Sequence, residues 1–283
     1  MELRRLREQA KLTLEEVEAR TGLSASKLSR LESATRGARP ADVGLLLELF
    51  EAEEAHSEFL LALAKDGGKR GWWQTYDIAP AYADLISLES DAVSVSNYET
   101  LLIPGLLQTA AYARAAIGAV GMTRTAEEVS HLVEVRMARQ SVLTRPNPLK
   151  LRAIIHEAAL SARASGPGVM RDQLQRLLDV AEYPNVTIQV LPAEAELHPG
   201  VTGGFAILGF GLSGIDVVLL EHLNSTLYIE EPVDVGDYAE AFERLTASAL
   251  SFGRSLTLIA DKKKEVDRER DHPGRVDSLR GMA

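Results

Sequence analysis

Cysteine is absent from the 283-residue chain, which removes disulfides, thiolate metal ligands and cysteine nucleophiles together. Long apolar runs are missing as well. No stretch approaches the ~20 uninterrupted apolar residues of a membrane helix, and the opening residues Met1 to Arg7 lack the apolar core of a secretory signal. A cytoplasmic protein without a membrane partner is therefore expected. The six histidines show no His-Glu-x-x-His or comparable ligand spacing, so no metal is expected. A Gly-rich phosphate loop, a Gly-x-Ser-x-Gly elbow and a dinucleotide fingerprint are also lacking, and Gly203-Gly204 reads as turn chemistry between strands. The expectation is a non-enzyme with no catalytic residues and no cofactor. His156-Glu157 reads as a structural pair at a strand end rather than as acid-base or metal chemistry.

What is present suits a globular chain of about two domains, since domains commonly run ~100–200 residues. The net charge of −10 argues against wrapping nucleic acid, but it is unevenly spread. Residues 1–40 carry nine Lys or Arg against six Asp or Glu, which leaves a locally basic face on an acidic body.

Apolar residues at helical spacing come first in short bursts: Leu3 and Leu6, Leu14 and Val17, Leu28 and Leu31, then Val43, Leu46, Leu47 and Phe50. This pattern predicts about five short helices in an all-α domain over 1–66. The Gly-rich, charged stretch 66–71 is read as the boundary. Beyond it, β-type runs at 93–98, 149–156, 186–191, 205–210, 217–220 and 226–229 alternate with helical patterns at 107–119, 124–143, 168–183 and 235–250. The spacing from 149 to 191 fits a βαβ crossover, and the last three strands, joined by short loops, should be antiparallel. A larger α+β domain over 72–260 with a mixed, mainly antiparallel sheet follows. The charged segment 261–283 reads as a frayed helix or disordered tail.

Within the head, Thr13-Leu14-Glu15-Glu16 matches a capping box, Gly22 sits where the chain leaves a helix with positive φ, and Ser24 is placed to cap the next helix. Two helices joined by a tight turn result. Val17, Leu28 and Leu31 point inward, leaving Ala25, Ser26, Lys27, Ser29 and Arg30 outward, where they could enter a major groove. Small residues let the backbone approach, and Arg can fork onto guanine. Ser24 and Lys27 are therefore assigned to phosphate, and Ala25, Ser26 and Arg30 to base edges; Thr13 joins the DNA-facing set. Arg36 and Arg39, in the loop before Pro40, are assigned to the flanking phosphates. A bare helical bundle with solvated charges is the competing reading of the same pattern. The strings Leu3 to Arg7, Leu12 to Val17, Thr21 to Ser24 and Leu28 to Ser33 resemble the lambda-repressor-like, XRE-type helix-turn-helix, which favours DNA. The segment Ser33 to Arg39 is longer than the usual loop of that family.

In the body, Ile103-Pro104-Gly105-Leu106-Leu107-Gln108-Thr109 followed by Tyr112-Ala113-Arg114 is the most distinctive string. With Tyr98, His156-Glu157, Pro184 to Thr187 and His198 to Gly200, it resembles the WhiJ-like regulators of Streptomyces and related actinomycetes, whose body is also described as an antitoxin-like regulator domain. The resemblance covers residues 2 to about 260. It implies transcriptional control of development or secondary metabolism, exerted through a small companion protein. The expected partners are a double-stranded DNA operator and a second copy of the chain, because a symmetric dimer doubles a small contact across two half-sites. Two further functions compete: sensing of a small apolar effector in a pocket between sheet and helices, and antitoxin-like neutralisation of the companion with autoregulation. Gln108, Tyr112 and Arg114 are candidate partner or effector residues, against a reading in which Tyr112 is core and Arg114 a paired charge. Trp72 and Trp73 could wall a pocket, although paired aromatics also serve as packing anchors.

Overall fold

The computed structural model describes residues 2–32, 38–66, 72–121, 124–162, 164, 166, 168–211, 215–223 and 225–271. The chain divides into two compact units, one of residues up to Asp77, the other of Ile78–Gly211 and the residues from Asp216 onward. The first unit holds the five expected helices: α1 (Glu2–Gln9), α2 (Leu14–Thr21), α3 (Ala25–Glu32), α4 (Pro40–Leu49) and α5 (Glu54–Asp66). Its core is the apolar set that the helical spacing picks out. Leu6, Val17, Leu28, Leu31, Val43, Leu46, Leu47 and Phe50 are buried together, joined by Leu23.

The second unit begins with α6 (Pro80–Asp91), β1 (Ser94–Glu99), α7 (Ala110–Val120), α8 (Ala126–Arg139) and β2 (Lys150–His156). It continues with α9 (Glu157–Leu160), α10 (Val169–Val180), β3 (Val186–Leu191), β4 (Phe205–Gly209), β5 (Val217–Glu221) and β6 (Thr226–Ile229), and closes with α11 (Pro232–Ser248) and α12 (Phe252–Asp271). The strands form one six-stranded sheet in the order β3-β2-β1-β4-β5-β6. β3, β2 and β1 are parallel, and the pairings β1–β4, β4–β5 and β5–β6 are antiparallel. This is the expected α+β unit with a mixed, mainly antiparallel sheet. The crossover from β2 to β3 and the antiparallel run at the end also match the spacing argument.

Strand alternation gives the sheet two different faces. On one, Tyr98, Ile154, Leu191, Phe205, Ile207 and Val218 pack with Phe242 and Leu245 of α11 into a continuous core. Val95, Asn97 and Glu99 of β1, paired in register with Leu151 and Ala206, turn to the other face. The outer edge of β3 is covered. Leu250 donates its N–H to the Val190 carbonyl at 2.8 Å, and the Val190 N–H donates to the buried Ser255 hydroxyl at 2.9 Å. α12 thus blocks a strand edge that would otherwise offer free backbone groups to another chain. Its charged half is tied in as well, by Lys262 to Glu157 at 3.1 Å. The helix runs through the start of the charged segment to Asp271, and residues 272–283 lie outside the described ones.

Candidate nucleic-acid interface

The turn between α2 and α3 is built by local chemistry. Thr13 caps α2 reciprocally with Glu16: the Glu16 N–H donates to the Thr13 hydroxyl at 3.2 Å, and the Thr13 N–H to the Glu16 carboxylate at 2.8 Å. At the far end Gly22 adopts φ +74°, which a side chain would strain, and its N–H closes on the Glu18 carbonyl at 2.8 Å. Ser24 then accepts the Lys27 N–H at 3.3 Å, so α3 starts where its cap predicts. Val17 and Leu28 are fully buried between the helices, whereas Ser24, Ser26, Ser29 and Arg30 are exposed and Ala25 is half-buried. The outward strip is therefore small and polar, with one arginine. A backbone or a base edge can approach it closely.

The surroundings modify the assignments made from sequence. Lys27 pairs with Asp42 of α4 at 2.7 Å and is mostly covered. The Ala25 N–H, one of the donors at the start of α3, is taken by the Glu18 carboxylate at 2.9 Å. Arg30 folds back so that its Nε donates to the Ser26 carbonyl at 3.1 Å, with its side chain still exposed. Thr13 is exposed with its hydroxyl engaged as a cap, and Arg39 is exposed just before Pro40 opens α4. Arg36 lies outside the described residues.

Three residues missed by the sequence reading shape this site. Arg7 forks onto the buried Glu32 carboxylate at 2.7 and 3.0 Å and donates to the Leu12 carbonyl at 2.8 Å, tying α1 and the α2 entry to the end of α3. The Glu32 hydrogen bond and its negative charge hold the Arg7 pKa above its usual value, against burial. Glu18 is the third. Charge bookkeeping could not distinguish any of them from solvated residues, because their partners lie 25 and 7 positions away. Arg4 pairs with Glu8 and Arg5 with Glu2 along α1, so much of the basic charge of residues 1–40 is already matched within the head.

In the second unit, the Pro104-Gly105-Leu106-Leu107-Gln108-Thr109 string is a tight 3₁₀ turn locked from below. Gln108 is buried; its amide donates to the Ile103 carbonyl at 2.7 Å, and its carbonyl oxygen accepts Arg136 at 3.0 Å. Tyr112 is buried and its hydroxyl accepts the Ile103 N–H at 3.2 Å. Gln173 of α10, fully buried, accepts the Thr109 N–H at 2.7 Å and donates to the Leu107 carbonyl at 2.9 Å. Arg114 lies on the exposed side of α7 and bridges to Ser130 of α8 at 2.8 Å. Gln108 and Tyr112 are thus brought together, and Arg114 points elsewhere. Trp72 and Trp73 sit in the first unit, edge to face at 5.9 Å, with Tyr76 against Trp72. His156 caps α9 by accepting the Ala158 N–H, and Glu157 accepts the Ala193 N–H beside its bridge to Lys262.

A family model described as a helix-turn-helix domain matches residues 1–60, and one described as a domain of unknown function, DUF5753, matches residues 82–261. No curated protein matches the chain. No solved structure matches it either. Among the described residues no helix is long and apolar enough to cross a membrane.

Proposed function

The chain belongs to the DUF5753 family, and from the helix-turn-helix domain that precedes the family domain we propose a sequence-specific, DNA-binding transcriptional regulator without catalytic activity. One observation carries the reading. α3 buries Leu28 and Leu31 against α2 and turns Ala25, Ser26, Ser29 and Arg30 outward, which is the division of faces a recognition helix needs. In this proposal Ala25, Ser26 and Arg30 meet base edges, while Ser24, Lys27, Arg36 and Arg39 hold phosphates beside Thr13. Lys27 exchanges Asp42 for a phosphate on binding. The head over 1–66 acts as the reader and 72–260 as the control domain, with 261–283 outside both; the protein works in the cytoplasm as a homodimer on a two-fold operator.

The WhiJ-like resemblance supplies the finer reading: control of development or secondary metabolism through a small companion protein, with antitoxin-like neutralisation of that companion as its variant. A second reading, effector sensing by the control domain, is favoured by a cavity that Gln108 helps to line. The test is binding of the purified chain to DNA upstream of its own gene against scrambled DNA, with Gln108→Ala and Arg114→Ala compared for response to the companion. Preferential binding is expected. Full companion response in both variants would remove Gln108 and Arg114 from the partner surface.

A further inference from the structure

Between the second face of the sheet and helices α6, α7 and α8 lies a cavity of about 960 Å³, lined entirely by residues of the second unit. That is room for a drug-sized molecule. Its walls are more apolar than polar and include Leu85, Val95, Ile117, Leu132, Leu208 and Leu219. At the mouth Leu102, Val120 and Leu223 are exposed, apolar groups that a bound molecule would cover.

The floor is different. Residue pairing runs Asn97–Ala206–Leu219 across β1, β4 and β5, so two positions further on Glu99, Gly204 and Glu221 form one row. A Cβ on Gly204 would come 3.3 Å from Glu99 Oε2 and 2.8 Å from the Tyr98 carbonyl, so glycine keeps the space between the two carboxylates open. Burial, then the Glu221 charge, push the Glu99 pKa up to about 7, against the Asn97 hydrogen bond and the Arg136 charge. The other ionisable groups near Glu99 are the Tyr98 and Tyr112 hydroxyls, both of which feel its charge. Among the described residues no cation lies within ion-pair distance of Glu99. Arg139 on the same wall is consumed by Glu89 at 2.8 and 2.6 Å and by the Tyr82 hydroxyl at 2.9 Å. Arg136 gives one nitrogen to Gln108, but its buried Nε has no hydrogen-bond partner. Arg124, His222 and Tyr228, whose hydroxyl donates to the Ala81 carbonyl at 2.7 Å, complete the charged or titratable lining.

We propose that this cavity binds a small molecule with an apolar body and a polar head, the head placing a cationic amine between Glu99 and Glu221 and a neighbouring oxygen acceptor on Arg136 Nε. Each half of the head answers a group left incompletely matched, the half-buried Glu99 carboxylate without an ion-pair partner and the buried Arg136 Nε without an acceptor. An amine restores an opposite charge to Glu99, and an oxygen removes the orphan donor. A carboxylate head would face two glutamates with Arg136 as its main counter-charge, and a neutral head would leave Glu99 without one. The proposal rests on the effector reading only for its consequence on DNA; binding itself is independent of it.

The experiment uses the full chain without DNA and three fluorescent probes: 1-amino-3-(1-naphthyloxy)propan-2-ol, an alkylamine that stays cationic between pH 6 and 8 beside an adjacent hydroxyl oxygen, and its neutral N-acetyl and anionic N-succinyl derivatives. At pH 8 the cation should bind roughly tenfold or more tightly than either derivative. Its affinity should fall about tenfold on going to pH ~6, as Glu99 takes up a proton. Glu99→Gln should remove the pH dependence and most of the preference, and Glu221→Gln, at an exposed position, should reduce the preference to a smaller extent. Unchanged DNA binding or unfolding temperature certifies that the variants fold. Equal or tighter binding of the neutral or anionic probe, a preference undiminished in Glu99→Gln, or no binding of any probe at millimolar concentration would each overturn the proposal. Cation binding that leaves DNA affinity unaltered supports the site and removes only the effector reading.

Discussion

Lys27 and Arg30 stand one turn apart on α3 and carry the same charge, yet their surroundings differ, and the proposed function gives them different work. Arg30 is exposed and long enough to reach a base pair, so Arg30→Ala should weaken specific binding by ~1–3 kcal/mol and relax base preference, read by affinity for operator variants. Lys27 is already paired with Asp42. Lys27→Ala should weaken all sequences alike and lower the salt slope by at most about one unit. Asp42→Asn should strengthen binding to all DNA by a few-fold, because Lys27 no longer has to leave a partner. Identical behaviour of Arg30→Ala and Lys27→Ala in specificity and salt slope contradicts the assignment. Glu99 makes a prediction at the same scale. Its carboxyl in the fold has a pKa of about 7, above the ordinary 4.5, so the fold holds a proton that the unfolded chain releases. Its contribution to stability is complete below about 4.5 and is lost as pH rises through about 7. Chemical denaturation across that window should show this decline in the parent chain and a flatter profile in Glu99→Gln.

Among the elements, the turn at Pro104 to Thr109 is held by side chains from distant helices rather than by its own sequence. Gln173→Leu leaves the Thr109 N–H and the Leu107 carbonyl without their partner, and should cost about 2–4 kcal/mol in denaturant unfolding. Arg139→Met should cost about 3–5 kcal/mol because it strands the buried Glu89 carboxylate, and the double variant with Glu89→Leu should recover most of that loss. A double variant no more stable than Arg139→Met would show that the pair is not the reason. The strands were legible from alternation, since residues such as Val95 and Ile154 meet different faces of one sheet. α2 and α3 were legible from their caps. Helix α6 was not assigned: apart from Pro80 at its start it carries few signals, and its buried Leu85, Ile86 and Glu89 make a weak stripe that a charged residue interrupts. Composition set 261–283 apart as a tail, whereas α12 owes its extension to Ser255 on the β3 edge and to Lys262 on Glu157. Such long-range partners leave no mark on local periodicity.

At the scale of the whole molecule, the acidic total and a DNA-binding head are compatible only if local charge decides. Here the sequence was informative about the face and less so about its strength. The outward strip of α3 followed from spacing alone. The pairing of Arg4, Arg5, Arg7 and Lys27 within the head did not, because it depends on which helices meet. Residues 41–66 add seven Asp or Glu against one Lys, which further limits the basic surface. In the proposed homodimer, affinity should therefore lean on base contacts and on two copies of the head, with half-sites about one helical turn apart. The cavity floor was likewise beyond the sequence, since Glu99, Gly204 and Glu221 become neighbours only through strand register. Recognition of DNA by the head is the property on which the other assignments depend. Salt titration of the full chain on the region upstream of its own gene should show specific binding at least ~1,000-fold tighter than on scrambled DNA, with the difference reduced about 5- to 150-fold in Arg30→Ala. Equal affinity for both DNAs at every salt concentration, or no binding to either, would contradict it.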